Sequence, residues 1–302
     1  MQRMLLRSLA LLLVAMTLSA VAPADTGGVL EIPLEHKRTR DGVLFGRVYD
    51  RFTGTLDLNG QTYEVSMLSN QRGGGLLDGL LGRRASSSTD PPVPRDFVLK
   101  TAQDTGYRWR SMFPAKLLLQ GTLYDVQFAG ADMKLVLTPY SGELTPLKLA
   151  MNCERVLLRS LTGKETLLLY RPGVTPKIPA GDYRVPEYHA LRKDGDANAW
   201  RIEYQDWRGG LRVTVGPDSE SVLQFGEPLV AAASIDNGRI ERVRQGATDS
   251  LRMDFTLKGQ AGENVNLSRV TRDGSRRRPE PPEYEITTPE GTPVAKGRFE
   301  YG

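Results

Sequence analysis

This chain of 302 residues carries one cysteine, Cys153, and only two histidines, His36 and His189. A lone cysteine excludes an internal disulfide, so the fold has to be held together by core burial. Cys153 lies between "LKLAMN" and "ERVLLRSL", among strand-like residues, and reads as a buried small hydrophobe. A reactive or intermolecular thiol is the other reading. Neither histidine stands in a recognisable motif, and His189, on a strand beside Tyr188, is expected at the surface. The chain has no G-x-S-x-G, no H-E-x-x-H and no phosphate-binding loop, so no catalytic motif supports an enzyme. Carboxylate pairs that meet only in space stay open. The formal net charge is only +4, too small for a general nucleic-acid binder.

Long apolar runs are also missing, with one exception at the N-terminus. Arg3 and Arg7 are the only charges before Asp25, and "SLALLLVAMTLSAVAPA" separates them from it. A basic start, an apolar run and the small residues Ala22-Pro23-Ala24 predict a secretory signal peptide, residues 1–24, cleaved before Asp25. An uncleaved anchor is the alternative, but the run is short against the ~20 residues a spanning helix needs. No cysteine stands near Asp25 to carry a lipid. The expected location is therefore outside the cytoplasm, periplasmic or extracellular, with no transmembrane segment in the mature chain. That mature chain has 278 residues (302 less 24), enough for one large or two ordinary domains. Loss of Arg3 and Arg7 takes the formal charge from +4 to +2.

What the sequence does contain is a repeat. "LDLNGQTYEV", Leu56 to Val65, returns as "LLLQGTLYDV", Leu117 to Val126. Leu56/Leu117, Leu58/Leu119, Gly60/Gly121, Tyr63/Tyr124 and Val65/Val126 correspond. Apolar and polar residues alternate in the first copy, as in a half-buried strand. Asn59-Gly60 is the dipeptide that a two-residue type I′ turn favours, because both central residues need positive φ. Gln120-Gly121 is a weaker version, with glycine still able to take that conformation. Each copy is thus predicted to be a β-hairpin, and the second continues into another hairpin with its tip at Gly130 to Asp132. Two copies are too few for a solenoid or propeller. Between them, residues 70–96 are rich in Gly, Ser and Pro and read as a flexible connection.

The remaining chain alternates short strand-like runs with turn residues. "RVLLRSL", "ETLLLYR", "DYRVPEYHAL", "AWRIEYQDW", "LRVTVG", "LVAAASI" and "LRMDFTLKG" are separated by turns such as Pro172-Gly173, Arg208-Gly209-Gly210, Asn237-Gly238 and Pro289-Glu290-Gly291. This pattern predicts an all-β, sandwich-type fold. We expect two β-sandwich-like domains after the signal peptide. One is an N-terminal β-domain over 25–150 with the flexible insert 70–96, and the other is a C-terminal β-sandwich over 151–302.

A resemblance supports the second of these. "IPAGDYRV", Ile178 to Val185, resembles the P-x-G-x-Y-x-V strand of transthyretin-like and immunoglobulin-like β-sandwich modules in exported bacterial proteins. "EYHALRKDGDANAW", "FGEPLVAAASI", "RMDFTLKGQAGENV" and the terminal "YEITTPEGTPVAKGRFEYG" resemble the C-terminal half of a group of uncharacterised exported bacterial proteins. The likeness covers about Arg155 to Gly302, with G-x-F-x-Y-G and Gly-Asp-Tyr its specific parts. It implies an Ig-like or transthyretin-like module and no particular activity. In that group, acidic D-x-D/N-x-D-G stretches often follow the Y-x-V strand of the N-terminal half. Here "SMLSNQRGGG" stands in that place, so the resemblance carries no metal role over.

Three stretches are candidate sites. Asp194, Asp196 and Asn198 have the 1, 3, 5 spacing of a calcium loop. Ala199 replaces the glycine at position 6 and Gln205 the glutamate at position 12, so a polar hairpin turn is the expectation and a weak Ca2+ site the alternative. Trp200, Ile202 and Tyr204 share one strand face, expected in the core, with Arg201, Glu203 and Gln205 on the other. The alternative is that this row, with Trp207 at the strand end, is exposed and stacks on sugar rings. Trp109, between Arg108 and Arg110, is expected to be exposed, where an arginine can stack on it with no ligand involved, and Trp109 and Trp207 are the aromatic candidates for ligand binding. The tract Arg272 to Arg278 reads as a solvated loop, with Arg276, Arg277 and Arg278 available to an anionic polymer or lipid surface.

Two function classes follow. One is an exported, non-catalytic β-sandwich protein that binds or assembles at the cell envelope or outside the cell, with an envelope polysaccharide or protein as partner. The other is a hydrolase acting on an envelope or extracellular polymer.

Overall fold

The computed structural model describes residues 28–41, 47–70, 94–102, 104, 111–162, 165–194, 198–217, 220–235, 237–246, 253–270, 276–277 and 280–300. The expected signal peptide and nearly all of the 70–96 connection lie outside these residues. Among the described residues, no helix is long and apolar enough to cross a membrane.

The fold is almost entirely β. Its first strands are β1 (Leu30–Pro33), β2 (Glu35–Asp41), β3 (Arg47–Leu58), β4 (Gln61–Asn70), β5 (Asp96–Thr101) and β6 (Ser111–Met112). Next come β7 (Lys116–Leu119), β8 (Thr122–Ala129), β9 (Lys134–Pro139), β10 (Thr145–Leu149), β11 (Arg155–Ser160), β12 (Thr166–Tyr170) and β13 (Lys177–Ile178). Then follow β14 (Gly181–Asp194), β15 (Asn198–Gln205), β16 (Leu211–Val215), β17 (Ser221–Leu223) and β18 (Val230–Ile235). A helix, α1 (Asn237–Arg244), precedes β19 (Met253–Lys258), β20 (Asn264–Val270), β21 (Arg276–Arg277), β22 (Glu283–Thr287) and β23 (Pro293–Arg298).

One large sheet runs β1-β9-β8-β7-β12-β11-β14-β15-β20-β19-β18, with β16 on β14 and β21 on β20. A second sheet, β2-β3-β4-β5-β6, lies over one face of it, and a small sheet, β13-β10-β17, lies over the other. Two cores fill the gaps. Leu117 and Leu119 of β7 and Leu168 of β12 enter the core under the second sheet, while Leu118, Leu167 and Leu169 enter the other. Strands β7, β11 and β12 are therefore buried on both faces. This explains "KLLL", "TLLLY" and "RVLLRS", continuous apolar runs where a half-buried strand would alternate. The large sheet crosses position 151, because β7 pairs in parallel with β12.

The repeat has a structural counterpart. In both hairpins the turn residues have positive φ: 50° and 75° at Asn59-Gly60, 49° and 82° at Gln120-Gly121. The two hairpins belong to facing sheets, and Leu56, Leu58, Tyr63, Leu117, Leu119 and Tyr124 meet in one core. Their tips touch: Asn59 Nδ2 donates to Gln120 Oε1 at 2.6 Å, and Gln120 Nε2 donates to Leu58 O at 3.1 Å and to the Tyr63 hydroxyl at 2.9 Å. At the other end of this sandwich, the chain steps from the large sheet to the second sheet between β1 and β2. Gly54 of β3 passes so close there that a Cβ would sit 2.6 Å from the Pro33 carbonyl oxygen.

Two expectations need correction. Asn237-Gly238 opens helix α1 where a turn was expected. Asparagine suits a helix start as well as a turn, and Arg242 and Arg244 fall in the last turn, where cations complement the helix dipole. His189 is 2% exposed, not at the surface. Its strand, β14, lies next to β11, whose second face is also covered, so both faces of β14 are buried there.

Candidate functional site

The strongest concentration of titratable groups is a buried charged cluster on β11, β14 and β15. The register places Arg155 opposite His189, and His189 opposite Glu203. Residues two apart share a strand face. Glu187 therefore joins His189, and Arg201 joins Glu203, on the side where Leu157 enters the second core. Arg155, Glu187, His189 and Arg201 are all nearly inaccessible to solvent.

Glu187 is the hub. Its Oε1 accepts from Arg155 Nη2 and from His189 Nε2 at 2.9 Å, with the imidazole in its Nε2–H form. Arg155 Nη2 also lies 3.2 Å from the same ring nitrogen. Beside this trio, Arg201 grips Glu154 with two donors, Nε to Oε2 at 3.0 Å and Nη2 to Oε1 at 3.4 Å. Burial is the main reason that the His189 pKa falls to about 4. The hydrogen bond and charge of Glu187 oppose that fall, while Arg155 and Arg201 add to it. The ring is thus neutral at physiological pH.

A carboxylate holding an imidazole is the arrangement of a general base and its orienting partner. Here both groups are sealed from solvent, and the carboxylate also carries Arg155. The cluster works as an internal anchor across three strands.

A second polar group extends it. Asp104 accepts from Thr101 N at 2.7 Å, from Arg171 Nη2 at 2.7 Å and from the Tyr170 hydroxyl. Burial works against the ionised Asp104, but these bonds and the Arg171 charge outweigh it and hold its carboxyl below the usual range. Arg171 N in turn donates to Glu154 O at 2.7 Å, which links the two groups. In sequence, Arg201 and Glu203 sit on the strand face opposite the one expected in the core. Arg201 is buried and Glu203 half-buried, and the signal for this lies two strands away, in the unbroken "RVLL" of β11.

The sequence-predicted positions do not converge. Asp194 and Asn198 form the last ladder pair of the β14–β15 hairpin, and Asp196 lies outside the described residues. Among the described residues, no three His, Cys, Asp or Glu side chains are grouped to hold a metal ion. Trp109 and Arg278 also lie outside the described residues. Arg276 and Arg277 form the short strand β21 on Val270 and Arg269, where a loop was expected. Since Arg269 pairs with Trp200, these arginines lie at the Asn198 end of β15.

Trp207 follows the opposite end of β15, seven residues from Trp200, roughly 20 Å at ~3.3 Å per residue. It is 40% exposed. Its turn is fixed by Asp206, which accepts from the N–H groups of Arg208, Gly209 and Gly210 at 2.9, 2.8 and 3.1 Å. These three bonds keep the Asp206 carboxyl below its ordinary range. Ile202 and Tyr204 are in the core as expected, and Trp200 is half-buried. Cys153 is a free thiol, buried, and burial drives its pKa well up, as suits a packing residue.

Comparison with protein-family models, curated proteins and solved structures returned no match.

Proposed function

We propose that this protein is exported and acts without catalysis, binding or assembling at the cell envelope or outside the cell. The observation that carries this reading is the contrast between interior and surface. The groups best suited to acid–base chemistry, Glu187 and His189, are buried, Glu187 in an ion pair with Arg155 and the neutral His189 hydrogen-bonded to Glu187, while a tryptophan stands exposed on a turn fixed by Asp206. An exposed aromatic on a rigid support suits stacking against a sugar ring. The sequence supplies a second candidate contact for an anionic polymer in Arg276, Arg277 and Arg278, and the backbone of β21 lies at the other end of β15.

Co-sedimentation with native envelope and with purified cell-wall polysaccharide tests this. Pelleting that survives high salt and is weakened about tenfold by Trp207→Ala is the expected result. Replacing Arg276, Arg277 and Arg278 together with Gln should reduce retention at low salt only, because charge contacts are screened. Protein that stays in solution with both materials at every salt concentration contradicts the reading.

A further inference from the structure

Strand β18 ends the large sheet and pairs, among the described residues, only with β19. Free strand edges attract other strands, and proteins usually blunt them with charges, bulges or short length. This protein does so elsewhere. The edge strand β2 reads "EHKRTRD", with charges at Glu35, Lys37, Arg38, Arg40 and Asp41. The edge strands β6 and β13 have two residues each. Strand β1 is crossed closely by Gly54 of β3.

Among the described residues, none of these protections is found at β18. Its six residues, "VAAASI", carry no charge and no proline. It pairs with β19 in unbroken register from Val230 opposite Lys258 to Ile235 opposite Met253, so no bulge twists it away. Every side chain along it is exposed or half-exposed, and Val230 is 57% exposed. The arm behind it is braced. Phe255, opposite Ala233, packs on Phe299 at 5.1 Å between ring centres, and Phe299 packs on Tyr284 at 5.1 Å. The β22–β23 hairpin thereby supports β19, while among the described residues no strand pairs with the outer edge of β18.

We propose that β18 is a dimerisation edge, occupied by β18 of a second copy of this chain in antiparallel pairing centred on Ala232. Two strands related by a two-fold axis perpendicular to the sheet place same-face residues opposite each other. Centring on Ala232 then sets Ala232 against its own copy, Ala231 against Ala233, Val230 against Ser234 and Leu229 against Ile235. Small residues meet in the middle and larger ones at the ends. No charge meets a like charge, which is the usual penalty when a strand pairs with itself. The pairing continues the large sheet through both copies. The inference rests on reading the exposed surface, not a buried site, as the working part of the protein.

Sedimentation equilibrium of the full chain, from about 1 to about 100 μM, tests it in the concentration range of weak and moderate dimers. The wild-type mass should rise from that of one chain to that of two. Ala232→Lys and Ala232→Glu should each weaken association at least tenfold, because like charges would face each other across the axis. An equimolar mixture of the two variants should regain the dimer, which shows that both are folded. A wild-type protein that stays monomeric throughout overturns the proposal. So does a lysine variant that dimerises like the wild type, or a mixture that stays monomeric. A dimer that never pellets with envelope leaves this inference standing and ends the envelope reading. A monomer that pellets does the reverse.

Discussion

Glu187→Gln is expected to destabilise the protein by about 3–5 kcal/mol, the range found when one partner of a buried ion pair is removed. The substitution keeps the side-chain shape and removes the charge. Arg155, itself 7% exposed, then keeps a buried cation facing a neutral amide, and His189 loses its anionic acceptor. Much of the loss comes from the stranded guanidinium, so removing it as well should restore stability. The double variant Arg155→Met with Glu187→Leu replaces the pair by apolar groups next to the Leu157 core, and is expected to recover at least half of what the single change loses. Urea unfolding with an unchanged slope on denaturant measures both. A loss under 1 kcal/mol for Glu187→Gln would mean that the cluster is not the anchor described.

His189 gives the fold a pH dependence of known sign. Its native pKa is about 4, against 6.5 for the free side chain. Between those values the unfolded chain binds the extra proton and the native state does not, so stability falls as the pH drops. The contribution is fully present above pH 6.5 and is lost as the pH approaches about 4. A shift of this size corresponds to ~3 kcal/mol. His189→Gln removes the titrating group, so the stability difference between wild type and variant should change by that amount between pH 7 and pH 4. Other groups titrate in both proteins and cancel in the difference. A difference that stays flat with pH would show that the imidazole is not held neutral by burial.

Local chemistry was legible in the sequence where it is decided locally. Asn59-Gly60 and Gln120-Gly121 form the hairpin turns that their φ requirements predict. The strand-like runs after residue 151 fall on strands, and Ile202 and Tyr204 point into a core. The purpose of the repeat was not legible, because it depends on facing sheets that bring Asn59 to Gln120 across 61 residues. The cluster around Glu187 was missed for a related reason. Alternation along β15 separates Arg201 from Ile202 correctly, but it cannot say whether the second face meets water or protein. That depends on β11 being covered on both sides, a property of the layer and not of the strand. The Asn237-Gly238 turn failed because asparagine serves a turn and a helix start equally well.

Export underlies the functional account, and cell fractionation with intact-mass measurement of the protein tests it most directly. The account predicts that the protein is found outside the cytoplasm, with a mass corresponding to a chain that begins at Asp25. A protein that begins at Met1 and is confined to the cytoplasmic fraction would contradict it, because neither envelope nor extracellular polymer would then be within reach of Trp207.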